Sequence, residues 1–165
     1  MENWRSINEF PDYSISDNGR VVNTNTGRIM ALTRNQRGIV MVGLMKSGIQ
    51  HKRSVPVLVL EAFHPKPMHQ SFDSHIHLDG DRTNNIAENL MRRPTWFAVK
   101  YHQQFWTGHS PHVNQPIMDI KTREVYDNSM HAATIFGLLD REIQIAIMNS
   151  MYVWPTYQTF LLHEE

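Results

Sequence analysis

Through the first sixty positions apolar and polar residues alternate in short runs separated by turn residues. Tyr13-Ser14-Ile15-Ser16 alternates and meets Asp17-Asn18-Gly19, a turn. Arg20-Val21-Val22-Asn23 follows as a second short strand, and Asn25-Thr26-Gly27 turns the chain into a third, Arg28-Ile29-Met30-Ala31-Leu32. Gly38-Ile39-Val40-Met41-Val42-Gly43-Leu44-Met45 is strand-like, and Lys46-Ser47-Gly48 has the chemistry of a hairpin turn. A period of two with glycine and asparagine turns predicts a small β module over residues 1–65. The run from Val57 to Phe63 ends at His64-Pro65. It is apolar throughout, so periodicity leaves a strand and a short buried helix equally open.

The pattern then changes twice. Residues 64–95 are polar and irregular, and from Thr95 to about Phe105 the spacing is helical, with Trp96, Val99 and Phe105 as candidate face residues. Residues 107–116, Thr-Gly-His-Ser-Pro-His-Val-Asn-Gln-Pro, have linker composition. Beyond them Ile117–Ile120 and Glu124–Tyr126 predict a hairpin around Lys121-Thr122-Arg123. Ser129 is placed to cap a helix reaching Phe136, Gly137 to end it, and Asp140 to cap a second helix to about Asn149. Two short helices across Gly137-Leu138-Leu139-Asp140 fit a helix-turn-helix. The expected class is α+β, divided into 1–65, a compact core 66–106, a linker 107–116 and a C-terminal module 117–165.

Composition narrows the chemistry. The chain has 165 residues, room for one ordinary domain or two to three very small modules. With no cysteine, disulfides and thiolate metal sites are excluded, so any metal must be held by His, Asp, Asn or Glu. No apolar stretch reaches a membrane span of about 18 residues, and the N-terminus lacks a signal-peptide pattern. A cytoplasmic location is expected. Net charge is zero, yet residues 1–114 hold 13 Lys/Arg against 9 Asp/Glu, and residues 115–165 hold 3 against 7. Only the N-terminal two thirds suits a polyanion. Seven of the ten histidines lie between His64 and His112.

The chemistry concentrates in His77-Leu78-Asp79-Gly80-Asp81-Arg82-Thr83-Asn84-Asn85-Ile86-Ala87-Glu88-Asn89-Leu90. This H-x-D-G-x-x-x-N-N-x-x-x-N-L pattern resembles the core of the HNH nucleases, in particular the small homing endonucleases of phages and group I introns. The resemblance implies a ββα-metal core, hydrolysis of duplex DNA, His77 as general base and Asn89 as the residue that orients it. It implies a divalent ion, Mg²⁺ or Mn²⁺. Asp79, Asn84 and Asn85 read as loop builders whose side chains bond nearby backbone. Trp4, Ile7, Phe10, Tyr13, Ile15-Ser16, Gly19-Arg20-Val21, Asn23, Gly27, Gly38, Leu58-Val59 and Ala62-Phe63 resemble the β module found upstream of such cores. Ile117–Ile120, Val125-Tyr126, Ser129, Ala132-Ala133, Gly137, Ile143 and Phe160 resemble the intron-nuclease repeat, a hairpin plus helix-turn-helix.

The chain also departs from the pattern. Many family members carry a metal-binding Asp or Asn immediately before the base, where Ile76 stands here, and Asn or His at the position of Ala98. Pro56-Val57 replaces a usual His-Arg pair. Asp73, His75 and His102 are the candidate stand-in ligands. Arg34, Arg37, Lys52, Arg53, Arg92 and Arg93 are candidate phosphate contacts. Arg141, Gln144 and Asn149 are candidate base readers on the second C-terminal helix, since Gln and Asn match adenine and Arg matches guanine. Double-stranded DNA is the expected partner of a monomeric protein. The alternative reading is a degenerate nuclease kept as a binding module for DNA or for a host or phage protein.

Overall fold

The computed structural model describes residues 1–106 and 110–164; Thr107, Gly108 and His109 of the expected linker lie outside the described residues. The chain divides into two compact units, Met1–His77 with Asp81–Thr95, and Leu78–Gly80 with Trp96–Glu165. The class is α+β, with small antiparallel sheets and four α-helices among the described residues.

In the first unit β1 (Trp4–Ile7), β2 (Phe10–Ser16) and β3 (Val21–Asn23) form one sheet in chain order. A second sheet joins β4 (Leu32–Arg34), β5 (Val40–Lys46) and β6 (Ile49–Ser54). Alternation buries Tyr13 and Ile15 of β2 and Val40, Val42 and Leu44 of β5. Lys46 pairs with Ile49, and the two residues between them, Ser47 and Gly48, have φ of 52° and 78°. Two positive φ values in a two-residue loop make the turn whose twist matches the strands it joins. The expected third strand starts later than its alternation suggests. Residues 28–30 fold back on β3, with Asn23 N–H donating to Arg28 O (2.9 Å) and Met30 N–H to Val21 O (2.8 Å). Only Val22 and Ile29 bridge there, and the true strand is Leu32–Arg34.

The ambiguous apolar run is a helix, α1 (Val55–Phe63). Pro56 lies in its first turn, where a missing N–H breaks no helical bond. Val55, Leu58, Val59 and Leu60 are buried with Ile7, Ile15, Leu44 and Leu90 in one cluster. Each such side chain contributes roughly 1.5–3 kcal/mol on burial. The polar stretch that follows holds a strand pair, β7 (Ser74–His77) and β8 (Leu90–Arg93), and a single 3₁₀ turn at Ala87–Asn89.

The second unit contains α2 (Thr95–Gln103) from Trp96 onward, then β9 (Ile117–Asp119), β10 (Val125–Tyr126), α3 (Ser129–Phe136), α4 (Asp140–Asn149) and β11 (Phe160–Leu162). The β9–β10 hairpin forms as its pattern predicts, and β11 joins on the other side of β9. Helix α2 buries Phe97, Ala98, Tyr101 and His102 and exposes Trp96 and Val99, the reverse of the expected face. Trp96 instead stacks on Trp154, ring centroids 5.5 Å apart. Two caps also differ. Asn128, not Ser129, caps α3, its Oδ1 accepting from His131 N–H at 2.8 Å. Asp140 is the first residue of α4 and does not cap it; Leu139 holds the cap position. Both side chains are turned inward: Ser129 Oγ donates to Asp140 Oδ1, and Asp140 Oδ2 accepts from His112 N–H and Nδ1. Gly137 ends α3 in the left-handed region, φ 62°.

Candidate functional site

Strand β7 pairs antiparallel with β8, setting Ser74 opposite Arg93, His75 opposite Arg92, Ile76 opposite Met91 and His77 opposite Leu90. His77 therefore ends its strand, and the loop that follows returns to β8 directly across from it. The side-chain period of two puts His75 and His77 on one face of β7 and Ile76 on the other. The two imidazoles stand edge to face, centroids 5.5 Å apart.

The loop is built by its own polar side chains. Asp81 Oδ1 accepts from Thr83 N–H (2.8 Å) and Thr83 Oγ1 (2.7 Å), and these bonds hold its pKa below the usual carboxylate value. Asn84 N–H donates to Asp81 O (3.1 Å). Asn85 is buried, and its Nδ2 donates to Thr83 O at 3.2 Å. That bond fixes the amide, so the other prong, Oδ1, is the one 3.0 Å from His77 Nε2. An amide oxygen only accepts, so Nε2 must carry the proton. His77 is held as the Nε2–H tautomer, and the lone pair falls on Nδ1. Asn89, also buried, donates from Nδ2 to Asn84 O (2.9 Å), bracing the segment that carries Asn85. His64, where α1 ends, donates from Nε2 to Ala87 O (2.8 Å). Asp79 is exposed, and a Cβ added to the next residue, Gly80 (φ 77°), would overlap the Phe105 ring. The Tyr101 hydroxyl donates to Leu78 O (2.7 Å).

Sequence reading gave Asn85 a loop-building role; the structure adds that it is the residue on His77 Nε2. The paired Asn84-Asn85 was the available signal. His64 and Arg82 were missed. Arg82 donates to Arg37 O and its charge acts on His75.

The donor set does not fit a divalent ion. Ile76 is 0% and Ala98 5% exposed, so both positions where the resemblance implies ligands carry buried apolar side chains. Of the stand-ins, Asp73 is exposed, one residue before β7, and its Oδ1 accepts from the Thr95 hydroxyl (3.2 Å). His102 is buried near the end of α2 with its ring edge-on to Tyr101. Among the described residues no group of three or more His, Asp or Glu is arranged to hold a metal.

His75 has a pKa pushed down to about 4 from 6.5, first by burial, then by the nearby charges of His77 and Arg82. The unfolded chain then binds more protons than the folded one between those values, so stability rises with pH across that window. His75 contributes fully above about pH 6.5, and this is lost as pH falls toward 4, by up to roughly 3 kcal/mol. Urea unfolding at pH 7 and pH 4.5 should show the loss, and His75→Gln should flatten it. A slope unchanged in that variant would place the acid sensitivity elsewhere.

The candidate phosphate contacts divide by exposure. Arg34, Arg37 and Lys52 are exposed. Arg53 is engaged with Glu9 (3.1 Å) and lies over the Phe10 ring. Arg92 is partly buried, and Arg93 is buried, its guanidinium donating to Arg92 O (2.9 Å), out of reach of a phosphate at the surface. On α4, Arg141 and Asn149 are exposed and Gln144 half-buried; Asn149 Nδ2 donates to Ile145 O (2.8 Å).

Residues 2–45 match the NUMOD4 motif. Over 134 residues the chain is 24% identical to an uncharacterized HNH endonuclease of Acanthamoeba polyphaga mimivirus, a match covering 81% of this chain and 35% of that protein. The chain thus spans about a third of that relative's length. Its fold matches a solved structure of the HNH homing endonuclease I-HmuI, described for DNA binding and cleavage, with a TM-score of 0.54 and 19% identity over 99% of each chain.

Proposed function

We propose that this chain, which carries a NUMOD4 motif and the fold of an HNH homing endonuclease, is a DNA endonuclease that hydrolyses a phosphodiester bond of duplex DNA. The observation that carries the reading is the His77–Asn85 hydrogen bond, which leaves Nδ1 of His77 as the basic atom. As water attacks phosphorus, Nδ1 takes its proton; the new P–O bond forms as the bond to the sugar oxygen breaks, and that oxygen is protonated from solvent. Asn85 holds the base in one tautomer, and Asn89 holds the loop that presents Asn85. One such base cuts one strand, so a monomer would nick. The resemblance to HNH nucleases implies Mg²⁺ or Mn²⁺, but the donors around His77 do not suit a divalent ion.

Exposed Arg34, Arg37 and Lys52, with Arg82 and Arg92 nearby in sequence to the loop, would meet phosphates. Arg141, Gln144 and Asn149 would read base edges if α3 and α4 act as a helix-turn-helix. A phage or intron origin, the module limits 1–65, 66–106, 107–116 and 117–165, and a cytoplasmic location (the host's, for a phage protein) belong to the same reading.

Specific observations favour a second reading, a binding module that has lost cleavage. Ile76 and Ala98 put apolar side chains at the ligand positions, and His77 is 0% exposed. Such a module would bind DNA or a host or phage protein.

One experiment separates the two. Supercoiled plasmid is incubated with the chain in Mg²⁺ and in Mn²⁺, and duplex affinity is measured at low and moderate salt. Open-circle product supports the nuclease. Binding whose affinity falls by roughly one power of salt per phosphate contact, without nicking, supports the second reading. Neither binding nor nicking sinks both for DNA.

A further inference from the structure

The turn between β2 and β3 lies in the part of the chain matched by the NUMOD4 motif, and it touches the loop that holds His77. It is a closed unit: Ser16 N–H donates to Arg20 O (2.8 Å), Gly19 N–H to Ser16 O (3.0 Å), and Ser16 Oγ accepts from Arg20 N–H (3.0 Å). Asp17 ties it to the N-terminus, its carboxylate accepting from Asn3 N–H (3.1 Å) and Asn3 Nδ2 (2.7 Å) while its own N–H donates to Asn3 O (3.0 Å). Two contacts then reach the loop. Ala87 N–H donates to Asp17 O (2.7 Å). Gly19, at φ 77°, lies so close to Asn85 that a Cβ there would stand 2.9 Å from Asn85 Cβ and 3.0 Å from Asn85 O. Asn85 is the residue whose amide decides which nitrogen of His77 is protonated.

We infer that this turn, with Gly19 as a positioning residue, sets the tautomer of His77 by pressing Asn85 into place. The N-terminal β unit then acts on the candidate centre directly, in addition to any role in meeting DNA. The physical basis is steric and short-range. Asn85 is fixed on one side by Thr83 O, and on the other by backbone that approaches only because position 19 has no side chain. A side chain at position 19 would displace Asn85 by several tenths of an ångström or more. The 3.0 Å bond to Nε2 would weaken, and the Nδ1–H form would become competitive. The inference rests on His77 being the general base for its meaning in catalysis, but its readout does not.

The test is the ring ¹⁵N spectrum of His77 in the full chain without DNA. The wild type should show Nε2 protonated and Nδ1 not. Gly19→Asn inserts a Cβ while keeping a residue that tolerates the left-handed region. It should introduce a second, Nδ1–H population and speed exchange of the Ala87 N–H by roughly tenfold or more. Gly27→Asn is the matched control, because Gly27 also has positive φ (70°) but nothing within 4 Å of a built Cβ; its His77 spectrum should match the wild type. A Gly19→Asn spectrum identical to wild type overturns the inference, as does an equal change in Gly27→Asn. If Gly19→Asn does not fold, native-state exchange of the wild type in dilute urea decides. Loss of Ala87 N–H protection together with the single His77 tautomer supports the inference, and loss of the first without the second overturns it. Nicking activity enters none of these readouts, so failure of the proposed function and failure of this inference are distinct results.

Discussion

His77→Ala is expected to slow nicking of supercoiled DNA by roughly 10²–10⁴-fold, the usual contribution of a positioned general base, with duplex affinity changed no more than a few-fold. The two effects separate because a general base acts on the attacking water, while duplex affinity rests on phosphate contacts from exposed cations such as Arg34, Arg37 and Lys52. Removing a buried ring also leaves a cavity, so melting must be followed alongside activity. His77→Gln keeps more of the volume and a donor for Asn85 but offers no base, and should be as slow as His77→Ala while melting closer to the wild type. Imidazole added to His77→Ala should restore part of the rate, since it replaces the missing base. Nicking at the wild-type rate in either variant would remove His77 from the chemistry. Loss of duplex affinity in both would make its role structural.

The largest expected loss of stability is in the second unit. Asp140→Ala should destabilise that unit by roughly 3–5 kcal/mol, the usual cost of breaking a buried charged network from one side. Asp140 is 1% exposed. Its carboxylate accepts from the Ser129 hydroxyl at the start of α3 and from the N–H and Nδ1 of His112, the latter at 2.7 Å, and so ties both helices to the preceding segment. Its own N–H donates to Gln104 Oε1 (3.1 Å). Alanine would remove the shared acceptor of three donors; the Ser129 hydroxyl keeps Val113 O (3.3 Å), while the His112 N–H and Nδ1 lose this partner. Asp140→Asn retains one acceptor oxygen and should cost less. Urea unfolding monitored by amide exchange in α3 and α4 reads both variants; a loss under about 1 kcal/mol in Asp140→Ala would show that water satisfies the stranded groups.

These two residues show where sequence reading reaches and where it stops. His77 is legible because the motif is local: a strand end, a turn and a row of asparagines within fourteen positions, each with a short-range reason for its identity. Asp140 was read from the same kind of local rule, as a helix cap, and the rule misled. Its carboxylate has partners 11 and 28 residues away, which no local pattern contains. Ser129 went with it, and Asn128 took the cap. On α2 the helix was legible but its buried face was not, because Trp96 and Phe97 are both large and apolar and only packing chooses between them.

What the sequence determined by itself is what depends on near neighbours: the hairpin at Ser47-Gly48, where left-handed backbone is needed; the polar loop in which Asn84 and Asn85 bond nearby backbone; the Gly137 helix stop; the strand-end-then-loop order of the motif. Turn geometry and side-chain-to-backbone bonds act over a few residues, so residue type and spacing suffice. The tertiary structure decided the rest. It made Val55–Phe63 a helix, because α1 could bury Leu58 and Val59 against Ile15 and Leu44. It closed Ile76 and Ala98 away from any cation. It brought Gly19 against Asn85, sixty-six positions further along the chain. Those outcomes turn on which distant surfaces exclude water from one another, and that is a property of the assembled core rather than of any window along the chain.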